Sequence, residues 1–171
     1  MDPTGFFTNG YVLMNNPSMF KAVEEVLDDV VWVEDPNGMK VPQKNKKLKN
    51  ALSYTHKLLA ETFLDPVFPI YDYGYGDIWN GVDRGATQWH SDLNEKPNAM
   101  FLLYFNDMNE ETGGAFGYRN AISKHETGFF YPKKYDLVFG SQQEIWEHKA
   151  TKINSNVDRI TANFGFVIEG I

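Results

Sequence analysis

The segment 159–168 constrains the fold of this chain more than any other. Its even-numbered residues are all apolar, whereas the alternate positions begin with Arg159, Thr161 and Asn163. Successive side chains of a β-strand point to opposite faces of a sheet, so this alternation predicts a strand with one apolar and one polar face. If the polar face looks into a barrel, Arg159 needs an anionic partner there, because an unpaired buried charge is very costly.

The residues from Pro66 onward show the sequence pattern of an all-β barrel or sandwich. Short apolar or aromatic runs alternate with Gly, Pro, Asn and Asp, which is typical of many short strands joined by turns. The run 100–105 is apolar on both faces and predicts a central strand. The aromatic and glycine-rich run 71–79 is consistent with either a pocket wall or an ordinary sheet edge.

The N-terminal part predicts a short strand at 11–14 followed by two amphipathic helices. Asn16-Pro17 suits the start of the first helix, whose apolar spacing continues to Val30. The second has a buried side from Leu48 to Leu59. We interpret the lysines just before it as a solvated helix entrance and not as a nucleic-acid patch. The sequence thus predicts one domain, with helical support in 1–65 and a β core in 66–171.

Composition narrows the classes of function. The 171 residues include no cysteine, so a disulfide framework, a zinc knuckle and a thiol nucleophile are excluded. The formal net charge of −7 argues against nucleic acid or an anionic membrane as the partner. The first residues lack the features of a signal peptide, and no apolar run is long enough to span a bilayer. We therefore expect a soluble cytoplasmic protein that acts on small molecules, peptides or proteins.

Three residues form a candidate metal site. His90 and Asp92 are two residues apart, and on a strand their side chains would point from the same face. With His148 they supply two imidazoles and one carboxylate, the facial triad of non-haem Fe(II) sites. Each residue alone also has a structural explanation: a histidine hydrogen-bonded in the core or an aspartate capping a turn. Arg159 likewise has nearby candidates for a simple ion pair, Asp136 and Glu147.

The order and spacing of these residues resemble the Fe(II)/2-oxoglutarate-dependent dioxygenases, in particular the prolyl 4-hydroxylase-like branch. That family has His-x-Asp, a distal His, and Arg-x-Ser/Thr on the final strand. The matching segments are 88–92, 102–107 with 111–114, 132–139, 146–148 and 159–164. Two departures are visible. Tyr135 stands where family members usually have glycine, and the chain is short, which leaves less protein to recognise a large substrate.

The resemblance implies a fold and a chemistry. The fold would be a double-stranded β-helix, a jelly-roll-like barrel of the cupin type, backed by α-helices. His90, Asp92 and His148 would bind Fe(II). Arg159, Thr161 and Tyr104 would hold the far carboxylate of 2-oxoglutarate. With O2, and with ascorbate as an accessory reductant, the reaction would convert 2-oxoglutarate to succinate and CO2 and hydroxylate a C–H bond.

The substrate is not specified by these residues. By family likeness alone, a prolyl or other residue in a peptide or protein is the first expectation, and a free amino acid or small metabolite is the second. A jelly-roll protein that binds a metal or ligand without turnover is the alternative from another class. Turnover of 2-oxoglutarate distinguishes the enzyme from the binding protein.

Overall fold

Most of the chain is organised as strands. The computed structural model describes residues 8–65, 67–92, 97–154 and 156–169. The α-helices of this part are α1 (Lys21–Leu27) and α2 (Lys46–Leu59), and a π-type turn, Ala60–Leu64, extends α2. The strands are β1 (Tyr11–Asn15), β2 (Trp32–Glu34), β3 (Lys40–Pro42), β4 (Ile70–Asn80), β5 (Ala99–Tyr104), β6 (Phe116–Asn120), β7 (Glu126–Phe130), β8 (Asp136–Ser141), β9 (Trp146–Ala150) and β10 (Ile160–Ile168).

These strands form two antiparallel sheets. The larger sheet has the order β1-β8-β5-β10-β4-β3-β2, and the smaller one has the order β7-β6-β9. A core cluster that includes Met100, Leu102 and Tyr104 of the larger sheet and Phe116 and Tyr118 of the smaller one fills the space between them. This two-sheet arrangement is the jelly-roll-like architecture that the family resemblance implies.

The strand β10 explains how the layers stack. Its apolar face, which includes Ala162, Phe164 and Phe166, belongs to the main core cluster together with residues of both helices. Its polar face therefore looks away from the helices and toward the smaller sheet. β5, which is buried along its whole length, pairs with β10 on one side and β8 on the other. Both strand predictions are confirmed.

The two helices lie close to their predicted positions in the sequence. Asn45 caps α2 by accepting hydrogen bonds from the backbone N–H groups of Lys47 and Leu48. The first helix is shorter than predicted. Asn16 caps a 3-10 turn, Pro17–Met19, and the α-helix itself begins only at Lys21.

Residues 8–65 also contribute three strands to the larger sheet. β1 was predicted, but the β2–β3 hairpin was not. Its strands have three residues each and none of these residues is buried, so they carry no alternating apolar pattern. The turn between them was predicted, and Asp35 Oδ1 stabilises it by accepting from the N–H groups of Asn37 and Met39. Within the described residues, no helix is long and apolar enough to cross a membrane.

Candidate active site

His90, Asp92 and His148 converge at one end of the space between the sheets. His90 Nε2 lies 3.7 Å from Asp92 Oδ1, and His148 Nε2 lies 3.5 Å from Asp92 Oδ2. One potential ligand atom from each of the three residues lies within 4.8 Å of the others. The two imidazole rings are 4.4 Å apart between centroids. Two imidazoles and a carboxylate at this separation can bind one metal ion from one side.

A single backbone bridge holds the His90 segment in place, which corrects the predicted placement on a strand. His90 and His148 exchange two backbone hydrogen bonds of 3.1 and 2.8 Å, and no named strand includes His90 or Asp92. The segment leaves the sheet directly after this pair. The carbonyl of Gln88 lies 2.8 Å from His90 Nδ1, so Nδ1 is the donor and Nε2 is left free to bind a ligand.

His148 is fixed by the smaller sheet. It lies on β9 opposite Tyr118 of β6, and the rings of Tyr118 and Phe116 stack on its imidazole at 6.0 Å between centroids. Burial lowers the pKa of His148 to about 4. The neighbouring His90 acts in the same direction and the charge of Asp92 opposes it. The imidazole is therefore neutral near pH 7, as a metal ligand must be.

The Asp92 carboxylate is oriented by a residue that sequence reasoning missed. Gln142, which is 4% exposed, donates from Nε2 to Asp92 Oδ2 at 2.9 Å and to the Tyr75 hydroxyl at 3.1 Å. Asn163 Nδ2 donates to the same hydroxyl at 3.2 Å. Asn163 was visible in the sequence as the third polar residue of the segment 159–168, but Gln142 lies fifty residues from Asp92 and carried no motif.

Arg159 occupies the other end of the same space. It is 4% exposed, and its Nε donates to the Gly114 carbonyl at 3.3 Å. The guanidinium carbon lies 5.2 Å from the centroid of the Tyr104 ring. No carboxylate of the described residues pairs with it.

The two ion pairs considered as alternatives for Arg159 are not formed. Glu147 instead pairs with Arg119 at 2.6 Å and with Lys124 at 2.9 Å. Asp136 accepts from the Asn15 side chain and from the Lys133 backbone N–H. Arg159 is thus a buried cation that pairs with no carboxylate among the described residues.

Two hydroxyls beside Arg159 also have no partner. Tyr104 and Thr161 are each 1% exposed, and neither hydroxyl makes a hydrogen bond of ordinary geometry among the described residues, although the Tyr104 hydroxyl lies close enough to the Arg159 guanidinium to interact with it. They are neighbours because Thr161 on β10 pairs with Tyr104 on β5. Burial raises the pKa of Tyr104 to about 12, so the phenol stays protonated and remains a donor. A buried polar group without a partner is unfavourable, and two of them beside an unpaired guanidinium indicate a site for an anion.

The turn predicted at 111–114 makes room for Arg159. Gly113 and Gly114 both have positive φ, at 73° and 75°. A Cβ on Gly114 would lie 3.1 Å from Arg159 Cδ and 2.6 Å from Met108 Cε. Glycine is required here for both the left-handed backbone and the close approach.

One cavity of about 230 Å³ joins the two ends. Its lining includes the three metal-ligand candidates together with Arg159 and Thr161. Between these ends the wall is apolar, with Met100 and Leu102 from β5 and Phe116 from β6. Tyr104 lies beneath Arg159 and does not line the cavity. Five of the six sequence-predicted residues therefore line one cavity, and the sixth, Tyr104, packs directly against Arg159.

The cavity lining does not include Trp89, His125 or Tyr135. Trp89 is packed between Arg119 and Lys149, each 4.4 Å from its ring. His125 is exposed in a loop, and its backbone N–H donates to Ser123 Oγ. Tyr135, at the position where the resembled family has glycine, adopts the left-handed conformation with φ of 72°.

The fold is the double-stranded β-helix of the Fe(II)/2-oxoglutarate oxygenases, so the fold prediction is confirmed. Solved structures of such oxygenases, prolyl 4-hydroxylases among them, match nearly the whole chain. The arrangement of His90, Asp92 and His148 is consistent with the metal triad of these enzymes. No protein-family model matches the sequence, and no curated protein does either.

Three of these structures illustrate the range of the fold. A prolyl hydroxylase from Trichoplax adhaerens, in complex with a peptide fragment of hypoxia inducible factor, matches with a TM-score of 0.65 and 15% identity over 96% of this chain and 86% of that one. A Pseudomonas putida prolyl-4-hydroxylase gives 0.61 and 12% over 95% of both chains. HygX from Streptomyces hygroscopicus, with nickel, 2-oxoglutarate and hygromycin B bound, gives 0.62 and 13% over 94% of this chain and 84% of that one.

Proposed function

We propose that the protein is an Fe(II)- and 2-oxoglutarate-dependent oxygenase that hydroxylates a C–H bond. The observation that carries the proposal is one cavity with two complementary ends. One end holds three neutral or anionic metal ligands, and the other holds Arg159 with the unpartnered hydroxyls of Tyr104 and Thr161. A 2-oxo diacid has a metal-chelating head and a distant carboxylate, and it matches both ends.

The three side chains at one end of the cavity are suitable ligands for Fe(II). His90, Asp92 and His148 would bind Fe(II) on one face and leave the opposite positions open. When bound, Fe(II) supplies the activation of O2 that couples conversion of 2-oxoglutarate to succinate and CO2 with oxidation of a C–H bond. Because Asp92 supplies a carboxylate, no ligand position is left for a halide, which favours hydroxylation over halogenation. Gln142 would keep the carboxylate turned toward the histidines.

The other end fits the far carboxylate of 2-oxoglutarate. The guanidinium of Arg159 would bind it through two parallel hydrogen bonds. Thr161 Oγ1 and the Tyr104 hydroxyl would donate one more each, which would give both buried hydroxyls an acceptor. The apolar wall between the two ends would keep water from the reacting carbons.

The substrate remains the open part of the proposal. A prolyl or other residue of a peptide is the expectation from the sequence resemblance, and it is supported by a structural neighbour that holds a peptide fragment. A small molecule is supported by a neighbour that holds hygromycin B. A cytoplasmic location and a single domain over 1–171 stay predictions.

Succinate formation tests the activity. Purified protein given Fe(II), ascorbate and 2-oxoglutarate in air should form succinate above a metal-free control, and a peptide pool should raise the rate if the substrate is a peptide. His148→Ala should abolish this activity, while His125→Ala, a change at an exposed loop histidine, should retain it. Retained turnover in His148→Ala would contradict the metal assignment. Binding of metal and 2-oxoglutarate without any succinate would favour the non-catalytic binding protein.

A further inference from the structure

A second group of side chains borders the candidate active site on β4. Tyr75, Asp77 and Trp79 alternate along this strand. Trp79 pairs with Thr161 of β10, and Asp77 pairs with Asn163. Directly paired residues of antiparallel strands point to the same face of a sheet, so these side chains share the face that carries Arg159 and Thr161. The sequence identified this run only as a pocket wall or a sheet edge.

These residues line a recess that is continuous with the main cavity. It has a volume of about 300 Å³, and its lining consists of Tyr75, Asp77, Trp79, Asp92 and Asn163. Trp79, Asp92 and Asn163 line the main cavity as well. A molecule in the recess would therefore lie beside the metal ligand Asp92.

The recess has an excess of negative charge. Asp77 is exposed, and no basic side chain or hydrogen-bond donor of the described residues contacts its carboxylate. Lys149, which lines the main cavity, directs its ammonium to the rings of Trp89 and Phe129 at 4.4 and 5.7 Å. The guanidinium of Arg159 lies at the opposite end of the main cavity. A bound metal ion would neutralise Asp92, which leaves Asp77 as the carboxylate available to a ligand.

The flanking rings are suited to a cation. The Tyr75 ring is held by its hydroxyl, which accepts from Gln142 and Asn163. With a rise of about 3.3 Å per residue, each ring lies roughly 7 Å along the strand from Asp77. A cation bound to Asp77 therefore has one aromatic side chain on each side of it along the strand, and an aromatic face attracts a cation that comes within about 6 Å of it. Two rings around one carboxylate recognise an ammonium or guanidinium group better than a neutral amide or the uncharged ring of a prolyl residue.

We propose that the substrate carries a cationic nitrogen, which the recess formed by Tyr75, Asp77 and Trp79 binds beside the metal site. This inference rests on the proposed oxygenase function and adds the chemical class of its substrate. The C–H bond to be oxidised then belongs to a carbon near that nitrogen. Both a free amine and a lysyl or arginyl side chain of a peptide have this chemistry.

Paired probes test the proposal. Protein loaded with Ni²⁺ and 2-oxoglutarate is titrated with a peptide, acetyl-Gly-Lys-Gly-amide, and with the same peptide acetylated at the lysine ε-amine. Putrescine and its diacetyl derivative form the free-amine pair. Within at least one pair the cationic probe should bind roughly tenfold more tightly, since an ion pair and two cation–π contacts are lost on acetylation. Preference within the peptide pair alone assigns a peptide substrate, and preference within the putrescine pair assigns a free amine.

Two variants test whether the recess causes the tighter binding of the cationic probes. Asp77→Asn should remove most of the tenfold difference. Asp72→Asn, which neutralises an exposed carboxylate of the same strand outside the recess, should retain it. Equal affinities for the cationic and acetylated probes in both pairs would overturn the proposal. A preference that survives Asp77→Asn would also overturn it.

A different experimental result would show that the proposed oxygenase function itself is wrong. If that function is wrong, either 2-oxoglutarate does not bind to the metal-loaded protein, or it binds and no succinate forms in the Fe(II) assay, whatever the amine probes do. If only the substrate class is wrong, 2-oxoglutarate binds in the presence of metal and the paired probes show no difference.

Discussion

At the scale of single residues, the hydroxyl of Thr161 is the clearest mark of a ligand site. It is buried and unpartnered beside Arg159, so it lowers the stability of the ligand-free protein. Thr161→Val should therefore raise the free energy of unfolding of the ligand-free protein by about 1 kcal/mol. The same change should weaken 2-oxoglutarate binding about tenfold, because a hydrogen bond to a charged group is lost.

Urea denaturation and calorimetry measure these two effects of Thr161→Val. Thr161→Ser, which keeps the hydroxyl, serves as the matched variant and should bind 2-oxoglutarate nearly as the wild type does. A Val variant that binds 2-oxoglutarate with unchanged affinity would place the carboxylate elsewhere.

Tyr135 is a residue whose backbone and side chain have opposing preferences. Its φ of 72° is unfavourable for any residue with a Cβ, by about 1–2 kcal/mol. Its ring nevertheless packs edge-on against Phe20 at 5.3 Å. Both Tyr135→Ala and Tyr135→Gly lose the ring, but only glycine relieves the backbone. The Gly variant should unfold at a higher urea concentration than the Ala variant, the reverse of the usual order. A more stable Ala variant would contradict the strained backbone.

The polar residues around the site show which functional residues could be predicted from the sequence and which could not. The resemblance supplied Arg159, Thr161 and Tyr104, because each lies in a segment with a recognisable pattern. It did not supply Gln142, whose function depends on its contact with Asp92. That contact depends on how β8 and the His90 segment pack, and a local pattern carries no information about such a contact.

At the scale of elements, we expect the packing of Trp89 to hold the His90 segment in position. The segment has only one bridge to β9, while Trp89 packs on the outer side of the smaller sheet between Arg119 and Lys149. Trp89→Ala should weaken metal binding roughly tenfold, because the contact that fixes the neighbouring His90 is lost. Trp89→Phe keeps an aromatic ring and should lose much less.

A chelator competition with Zn²⁺ gives the metal affinity of each Trp89 variant, and urea denaturation of the metal-free protein gives its stability. A loss of stability in Trp89→Ala with unchanged metal affinity would show that Trp89 is only a packing residue.

The contact between α2 and β10 should make stability depend on pH. Burial lowers the pKa of His56, and a hydrogen bond to the Gly165 carbonyl at 2.9 Å opposes the shift in part. The unfolded chain, with an ordinary pKa near 6.5, then binds more protons than the folded one as the pH falls through that value. The stability contributed by neutral His56 is therefore present above pH 6.5 and is lost on acidification.

Urea midpoints between pH 7.5 and 5.5 test this contribution. The decrease on acidification should be smaller in His56→Gln, which keeps a donor for the Gly165 carbonyl but does not titrate. An identical pH dependence in the variant would assign the effect to other groups.

Elements with strong periodicity were predictable and short exposed ones were not. β10 and α2 bury one face each, so their sequences alternate with the period of a strand or a helix. β2 and β3 bury little and have three residues each. Their pairing is determined by the turn between them and by the edge of β4, neither of which imposes an apolar pattern on the strands themselves.

At the scale of the whole molecule, the two sheets bring distant segments to one cavity. The larger sheet supplies Arg159, Thr161 and Tyr104, and the smaller sheet supplies His148 and holds His90 through a bridge. The sequence resemblance predicted this fold, and solved structures match it at only 12 to 15% identity. The substrate recess on β4 was not predictable, because it depends on the register between β4 and β10.

The central claim is that the cavity binds a metal at one end and a carboxylate at the other. Calorimetric titration of Ni²⁺-loaded protein with 2-oxoglutarate, and with 2-oxobutanoate as the analogue that lacks the far carboxylate, tests both ends in one experiment. The account predicts that 2-oxoglutarate binds only when metal is present, and at least about thirtyfold more tightly than 2-oxobutanoate. Equal affinity for the two acids, or binding that does not require the metal, would contradict it.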